Sequence, residues 1–292
     1  DALNNTEEIK VEENLESHEL IENFMLSANE LVTTIFSLPF VYRCHSYPSE
    51  YKINELLIKL KELGYHTKNL KNMKTSFLIQ RLLKDFKGTE EFLVISEIIL
   101  RSLKLAYYDV ENIGHFGLAL ESYTHYTSPI RRLPDLLVHH LLDIYETEEL
   151  DLEKLEEINK ILKTLCEKSS FMERQADKAE YEADKLQVIN YIKNHINEER
   201  IGFIEDINEN NIHVRVPGLM DGVVSYENMP EQTRMTEKGK IKGLTTGRTY
   251  KVGHKVLLNV LNASYIDNTI YYSLVDNLTI TESETKKLTK TL

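Results

Sequence analysis

Residues 201–216 read IGFIEDINENNIHVRV. Apolar residues recur at alternate positions in Ile212, Val214 and Val216, and the Asn-rich step at 208–211 breaks the run as a turn would. Further strands follow as DGVVSY (221–226), HKVLLNVLNAS (254–264) and TIYYSL (269–274). Five short strands in about 75 residues, with an insertion at 228–248, fit a small Greek-key barrel of the oligonucleotide-binding type.

Upstream of residue 200 the rhythm is helical. Leu20, Ile21, Phe24, Met25, Ala28, Val32 and Ile35 recur at helical spacing, with Ser17 as the expected N-cap. PFVYRCHSYPS (39–49) breaks that pattern. Helices are expected again over 50–63 and 75–106, with Gly64 and Gly88 at helix ends, and Pro134 belongs in a first helical turn. Residues 151–197 form a long helical region whose first stripe is Leu155, Ile158, Leu162 and Leu165. Helices first and strands after define an α+β chain of two domains.

The 292 residues are 41% hydrophobic and 28% charged, ordinary for a globular protein, with a net charge of −12. Residues 201–292 hold 11 basic and 11 acidic side chains, so the whole excess lies in 1–200, much of it in the opening segment and in Asp143–Glu157. By net charge alone a polyanionic partner is disfavoured, yet a cationic groove can sit inside an acidic protein. No apolar run reaches the ~20 residues of a membrane span. Cys44 and Cys166 offer neither a disulfide framework nor metal spacing and read as buried thiols. With no signal-peptide pattern, the cytoplasm is the expected compartment.

The segment ESYTHYTSPIRRLPD (121–135) is the most chemical in the chain. Arginine presents a planar fork of donors matched to phosphate, and a loop leading into a helix N-terminus is an anion site. Thr127, Ser128, Arg131 and Arg132 can therefore hold one or two phosphates, with Ser128 and Thr127 capping the next turn. The competing reading is a polar loop whose arginines pair with a local carboxylate such as Asp135.

Beyond this, GHFGLALESYTHYTSPIRRLPDLLVHHLL (114–142) closely resembles the signature run of the ribonuclease II/ribonuclease R family. ELIENFMLSANE (19–30), YRCHSYPS (42–49) and MERQADKAEYEADK (172–185) are similar to further segments of that family, and the barrel falls where the family has an S1 domain. The resemblance implies an acidic flexible segment at 1–16 and the mostly helical second half of an RNB catalytic domain at 17–200. An S1 RNA-binding barrel at 201–278 and a polar tail at 279–292 follow.

The activity so implied is processive 3′→5′ hydrolysis of single-stranded RNA to nucleoside 5′-monophosphates with Mg²⁺, without a DNA preference or a membrane. Arg131 is the implied phosphate clamp and Glu22 lies near the terminal nucleotide. Tyr123, His125, Thr127, Ser128, Arg132, Arg43, His45 and His213 are candidate RNA contacts. Glu173 and Arg174 are expected to support the channel, through an ion pair to the Arg131 loop. His115 and His139 are read as structural. In the barrel, Asn210 and His213 stand where S1 domains stack bases, and Lys238, Lys240, Lys242, Arg248 and Lys251 can track phosphates or simply coat a solvated loop.

The family's metal-binding aspartates, spaced Asp-x-x-Asp-x-Asp-Asp, have no counterpart in 1–292, so no metal ligand is assigned to this chain. Tyr126, Leu133 and His140 replace the family's usual Phe, Tyr and Arg. The chain is thus expected to be the C-terminal portion of such an enzyme, inactive alone. Its expected partners are then the missing N-terminal half or the ribosome and degradation machinery. A catalytically silent RNA-binding fragment, or an S1-type interaction module, is the alternative.

Overall fold

The computed structural model describes residues 15–278 except 36, 63–64, 68–69, 71–72, 90–91 and 238, together with 6, 8 and 9. Most of the expected acidic segment, the whole polar tail, Gly64 and Lys238 therefore lie outside the described residues. The chain divides into two units. One is Glu12–Ser49 with Leu103–Glu180; the other comprises Asp1–Val11, Glu50–Ser102 and Tyr181–Leu292. No helix among the described residues is long and apolar enough to cross a membrane.

The first unit opens with α1 (Glu16–Leu31), followed by β1 (Tyr42–Cys44), β2 (Tyr107–Asp109), α5 (Leu133–Thr147) and α6 (Leu152–Lys193) as far as residue 180. Between β1 and β2 in sequence lie α2 (Glu50–Glu62), α3 (Thr75–Phe86) and α4 (Phe92–Ser102), which belong to the second unit. Thus the helical span expected at 75–106 is two helices, which end at Ser102 and are parted by Gly88 at φ 85°. Such a positive φ ends a helix cheaply only at glycine.

Ser17 does not cap α1. The helix starts one residue earlier, Leu15 holds the N-cap position, and no side chain caps it. Pro134 sits in the first turn of α5, as expected. In α6 the Asp151 carboxylate accepts from the Lys154 N–H at 2.9 Å, a local N-cap. The core of this unit joins Val32, Phe40, Val41, Tyr108, Val138, Leu141, Leu162 and Cys166. Cys44 and Cys166 are free and buried. The apolar stripe of α1 does not join that core: Leu20, Phe24, Leu31 and Ile35 are exposed, and the helix buries Asn29, with Val32 and Thr33 beyond its end.

In the second unit, Leu56, Leu60, Leu78, Ile95 and Ile99 close a small helical core over α2–α4. The barrel strands are β3 (Glu199–Ile207), β4 (Asn211–Arg215), β5 (Gly222–Ser225), β9 (Lys255–Ser264) and β10 (Thr269–Asn277). They close in the order β10-β5-β4-β3-β9, so the expected five-stranded barrel is present. Alternation is clean: Ile212 and Val214 face in, with Ile204, Val224, Val256, Leu258, Val260 and Ile270. Ile189 and Ile192 at the end of α6 pack into the same core.

The insertion is more than a loop. Residues 233–237 (β6), 240–243 (β7) and 249–251 (β8) form a three-stranded antiparallel sheet, and its Ile241 and Tyr250 are fully buried in the barrel's core cluster. An ion network joins α4 to the barrel: Arg101 bridges Glu97 and Glu205, and Arg215 bridges Glu97, Glu205 and Asp221.

Barrel closure rests on the one parallel pairing, β5 with β10, in which Gly222 opposes Ile270. A Cβ at Gly222 would meet the Ile270 carbonyl oxygen at 2.6 Å and press on the Tyr272 ring. Gly222→Ala is therefore expected to destabilise the chain by about 1–3 kcal/mol through overpacking, read as a lower urea midpoint at unchanged m.

Candidate nucleic-acid interface

The loop at 124–132 is built around one carboxylate. Asp135, in the first turn of α5, is fully buried. Its Oδ1 accepts the Ser128 N–H at 2.8 Å and Arg132 Nη2 at 2.7 Å. The carbonyl of Ser128 in turn accepts the N–H groups of Arg131 and Arg132 at 3.3 and 3.2 Å. The helix N-terminus adds favourable potential for the carboxylate. So Asp135 holds the turn that precedes α5, neither the Ser128 nor the Thr127 hydroxyl makes a hydrogen bond among the described residues, and Arg132 occupies the N-cap position with no side-chain cap.

The tandem arginines are thereby separated in role. Arg132 is paired with Asp135, as the polar-loop reading holds. Arg131 is exposed and makes no ion pair among the described residues, beside a fully exposed Ile130 at the loop tip. A tight turn fixes its backbone while the guanidinium stays open to solvent.

Behind the loop stands a connected set of rings. β1 and β2 pair with Arg43 opposite Tyr108, which sets the guanidinium 4.6 Å above that ring. Arg43 Nη1 also lies 2.6 Å from Glu173 Oε2. Glu173 therefore ties α6 to β1 and not to the Arg131 loop, correcting the expected ion pair. Arg43 is engaged within the protein, and Arg174 is exposed with no ion pair among the described residues.

From Arg43 and Tyr108 the set continues through His125, Tyr123, His115 and His45. Tyr108 Oη is 2.7 Å from His125 Nδ1, and successive ring centroids from His125 to His45 are 5.0–5.8 Å apart, edge to face. His45 Nδ1 accepts the Gly117 N–H at 3.0 Å, and His115 Nδ1 accepts that of Leu118 at 3.2 Å.

Asn29, which the sequence reading did not single out, links α1 to this wall. Its amide donates to Tyr123 Oη at 3.0 Å, and its carbonyl oxygen accepts the Tyr126 N–H at 3.0 Å. It lies on the last turn of α1, beside polar residues that give it no distinguishing signal in the sequence. Tyr126 stacks on His139 at 4.3 Å, and His139 Nε2 meets the Tyr126 carbonyl at 3.0 Å, so His139 is structural as expected. Glu22 is exposed on α1 and has no hydrogen bond or ion pair among the described residues. In the other unit His213 Nε2 is held by Asn208 at 3.0 Å on the outer face of β4, and Asn210 is exposed.

Burial first, then the positive charges of Arg132 and Arg43, pushes His125 down to about 3. Burial, His45 and Arg43 lower His115 to about 4. Burial also lowers His45 and raises the Tyr108 phenol. The wall is therefore a neutral, polarisable surface at pH 7. Positive charge resides in Arg43 and Arg132, both paired, and in the open Arg131. No group of three or more His, Cys, Asp or Glu among the described residues can hold a metal ion, so no metal step is derived from these residues.

In chain order a helical part that carries the arginine loop is followed by a closed five-stranded barrel. The RNB domain family matches residues 1–148, and the chain belongs to that family. Ribonuclease R of Aquifex aeolicus is 34% identical over 273 residues, which are 90% of this chain and 38% of that protein. The structure "Apo form of Mycoplasma genitalium RNase R" matches with a TM-score of 0.77 at 24% identity, over 90% of this chain and 42% of that one, a likeness of fold. The structure of that protein with ribose-methylated single-stranded RNA matches with a TM-score of 0.76. The chain spans about two-fifths of the length of these relatives.

Two outcomes are expected of the site's own energetics. Asp135→Ala leaves Arg132 half-buried and unpaired and should cost about 3 kcal/mol, whereas Arg131→Ala should change stability by less than about 0.5 kcal/mol, both read by denaturant unfolding. Because His115 and His125 stay neutral when folded, the unfolded chain takes up protons below pH ~6.5 that the folded chain refuses. Stability should be full above that pH and fall towards pH 4, by up to about 1.4 kcal/mol per pH unit for each histidine, and His125→Gln should make the fall shallower.

Proposed function

We propose that the chain supplies the phosphate-gripping and RNA-guiding part of a cytoplasmic 3′→5′ hydrolytic exoribonuclease that releases nucleoside 5′-monophosphates from single-stranded RNA, with no DNA preference. The observation that carries this reading is the unequal use of Arg131 and Arg132. A fold that buries Asp135 to neutralise one arginine, and leaves its neighbour open on a tightly hydrogen-bonded turn, holds a guanidinium ready for an external anion.

In this reading Arg131 takes the non-bridging oxygens of the phosphate beside the scissile bond, and its fixed positive charge stabilises the charge that builds there during in-line displacement. Glu22 helps to place the terminal nucleotide, and Thr127 and Ser128 line the phosphate path. The neutral wall from His45 to Tyr108 supports that path without drawing phosphates away from Arg131. Mg²⁺ belongs to the activity that the family resemblance implies, with ligands contributed from outside the described residues. The remainder of an RNB catalytic domain is the partner this requires.

The test is mononucleotide release from a 5′-labelled single-stranded RNA with Mg²⁺, by this chain and by the complete product of its gene. Release by the complete product alone is expected. In that product Arg131→Ala should lower turnover by about 10²–10³ while RNA binding changes only a few-fold. Near-normal turnover would falsify the clamp. RNA binding without release by either form would favour the catalytically silent reading.

A further inference from the structure

The sheet in the insertion has two unlike faces. Ile241 opposes Tyr250 on one side and Met235 on the other, and Ile241 and Tyr250 are fully buried against the barrel core. On β7, Lys240 and Lys242 flank Ile241 and so point to the opposite face. In register with them stand Lys251 opposite Lys240 and Arg234 opposite Lys242. One face therefore carries Arg234, Lys240, Lys242 and Lys251 together, with Thr249 beside Lys242.

Arg234, Lys242 and Lys251 are exposed, and none of the four cations makes an ion pair among the described residues. Glu237 stands opposite Lys240 in the register of β6 and β7, so the positive character of the face comes from Arg234, Lys242 and Lys251.

This arrangement does not serve folding. Like charges directly opposed across strands destabilise a sheet. Here Arg234 directly opposes Lys242 at the ~5 Å strand spacing and Lys251 shares their face, all within about a Debye length of ~8–10 Å. Elsewhere in the same unit cations are matched, as Arg215 with Glu97 and Asp221 and Arg248 with Asp276. An acidic chain that leaves its cations clustered and unpaired on a single face has built an attractor for anions. The paired positions also include no aromatic side chain on that face, so it offers nothing on which a base can stack.

We propose that the outer face of β6–β7–β8 is a second RNA contact, separate from the Arg131 loop, that binds the phosphodiester backbone without regard to base sequence and takes single or double strands alike. The proposal rests on the RNA-processing reading above for the choice of polyanion.

Fluorescence anisotropy with a labelled 16-nucleotide oligouridylate, from 50 to 300 mM KCl, tests it on the 292-residue chain. Replacing Arg234, Lys242 and Lys251 by Ala should flatten the slope of log K against log salt by about 2 and weaken binding at 0.1 M salt on the order of a hundredfold. A duplex of equal length should lose a comparable factor.

Lys242→Glu supplies a readout that a merely structural role predicts differently. Relieving the repulsion with Arg234 should raise the thermal midpoint while RNA affinity falls. An unchanged salt slope in the triple variant would overturn the proposal. So would an absence of RNA binding by the parent chain at 50 mM KCl, or equal binding of poly-L-glutamate and RNA. None of these outcomes bears on Arg131, whose role is read from turnover of the complete gene product, so the two readings fail separately.

Discussion

A carboxylate taken wholly out of water must find donors, because its desolvation cost is otherwise too great for a fold to bear. Asp135 finds them for Oδ1 in the Ser128 N–H and the Arg132 guanidinium, both local in sequence, while Oδ2 has no hydrogen-bond partner among the described residues. Everything at the candidate site follows from that choice. The turn from Ser128 to Arg132 is drawn onto the first turn of α5, Arg132 is neutralised, and Arg131 is left pointing away with its charge intact. Without the buried carboxylate the two arginines would be equivalent and mobile. With it, one is paired and the other is left exposed.

A second layer stiffens the wall behind this loop by pairing groups distant in sequence. Asn29 from α1 reaches both Tyr123 and Tyr126, and Arg43 is clamped between Tyr108 and Glu173. These contacts turn several polar residues that look like ligands into framework. The same logic governs the other unit. Most of its arginines are spent on carboxylates that attach α4 and complete the barrel, and against that background the unpaired cations of β6–β8 stand out.

Much of the architecture was legible in the residues. Strict alternation in NIHVRV and HKVLLNVLNAS marked barrel strands, because a half-buried strand must repeat every second residue. The stripe through Leu162 marked α6, and Pro134 marked the start of α5. The insertion strands were not legible: TRMTE, KIKG and TYK are short and charged, and only pairing with one another and the burial of Ile241 and Tyr250 makes them a sheet. The N-cap of α1 was misplaced by two residues because Ser17 has the chemistry of a cap, while the chain enters the helix at Leu15. The outward stripe of α1 shows that helical periodicity establishes a helix, not which face it buries.

The sequence by itself determined the order of elements, the five-stranded barrel and the membership in the RNB family, and it singled out the arginine segment. Those properties depend on local periodicity and on a contiguous run of residue types. Only the tertiary structure decided which groups are spent and which are free: that Asp135 takes Arg132 and spares Arg131, that Glu173 turns to Arg43, and that four cations share one face of the insertion sheet. The reason is physical. A charge's availability depends on burial and on partners a few ångströms away, and apart from Arg132 with Asp135 those partners come from segments that the chain brings together only on folding.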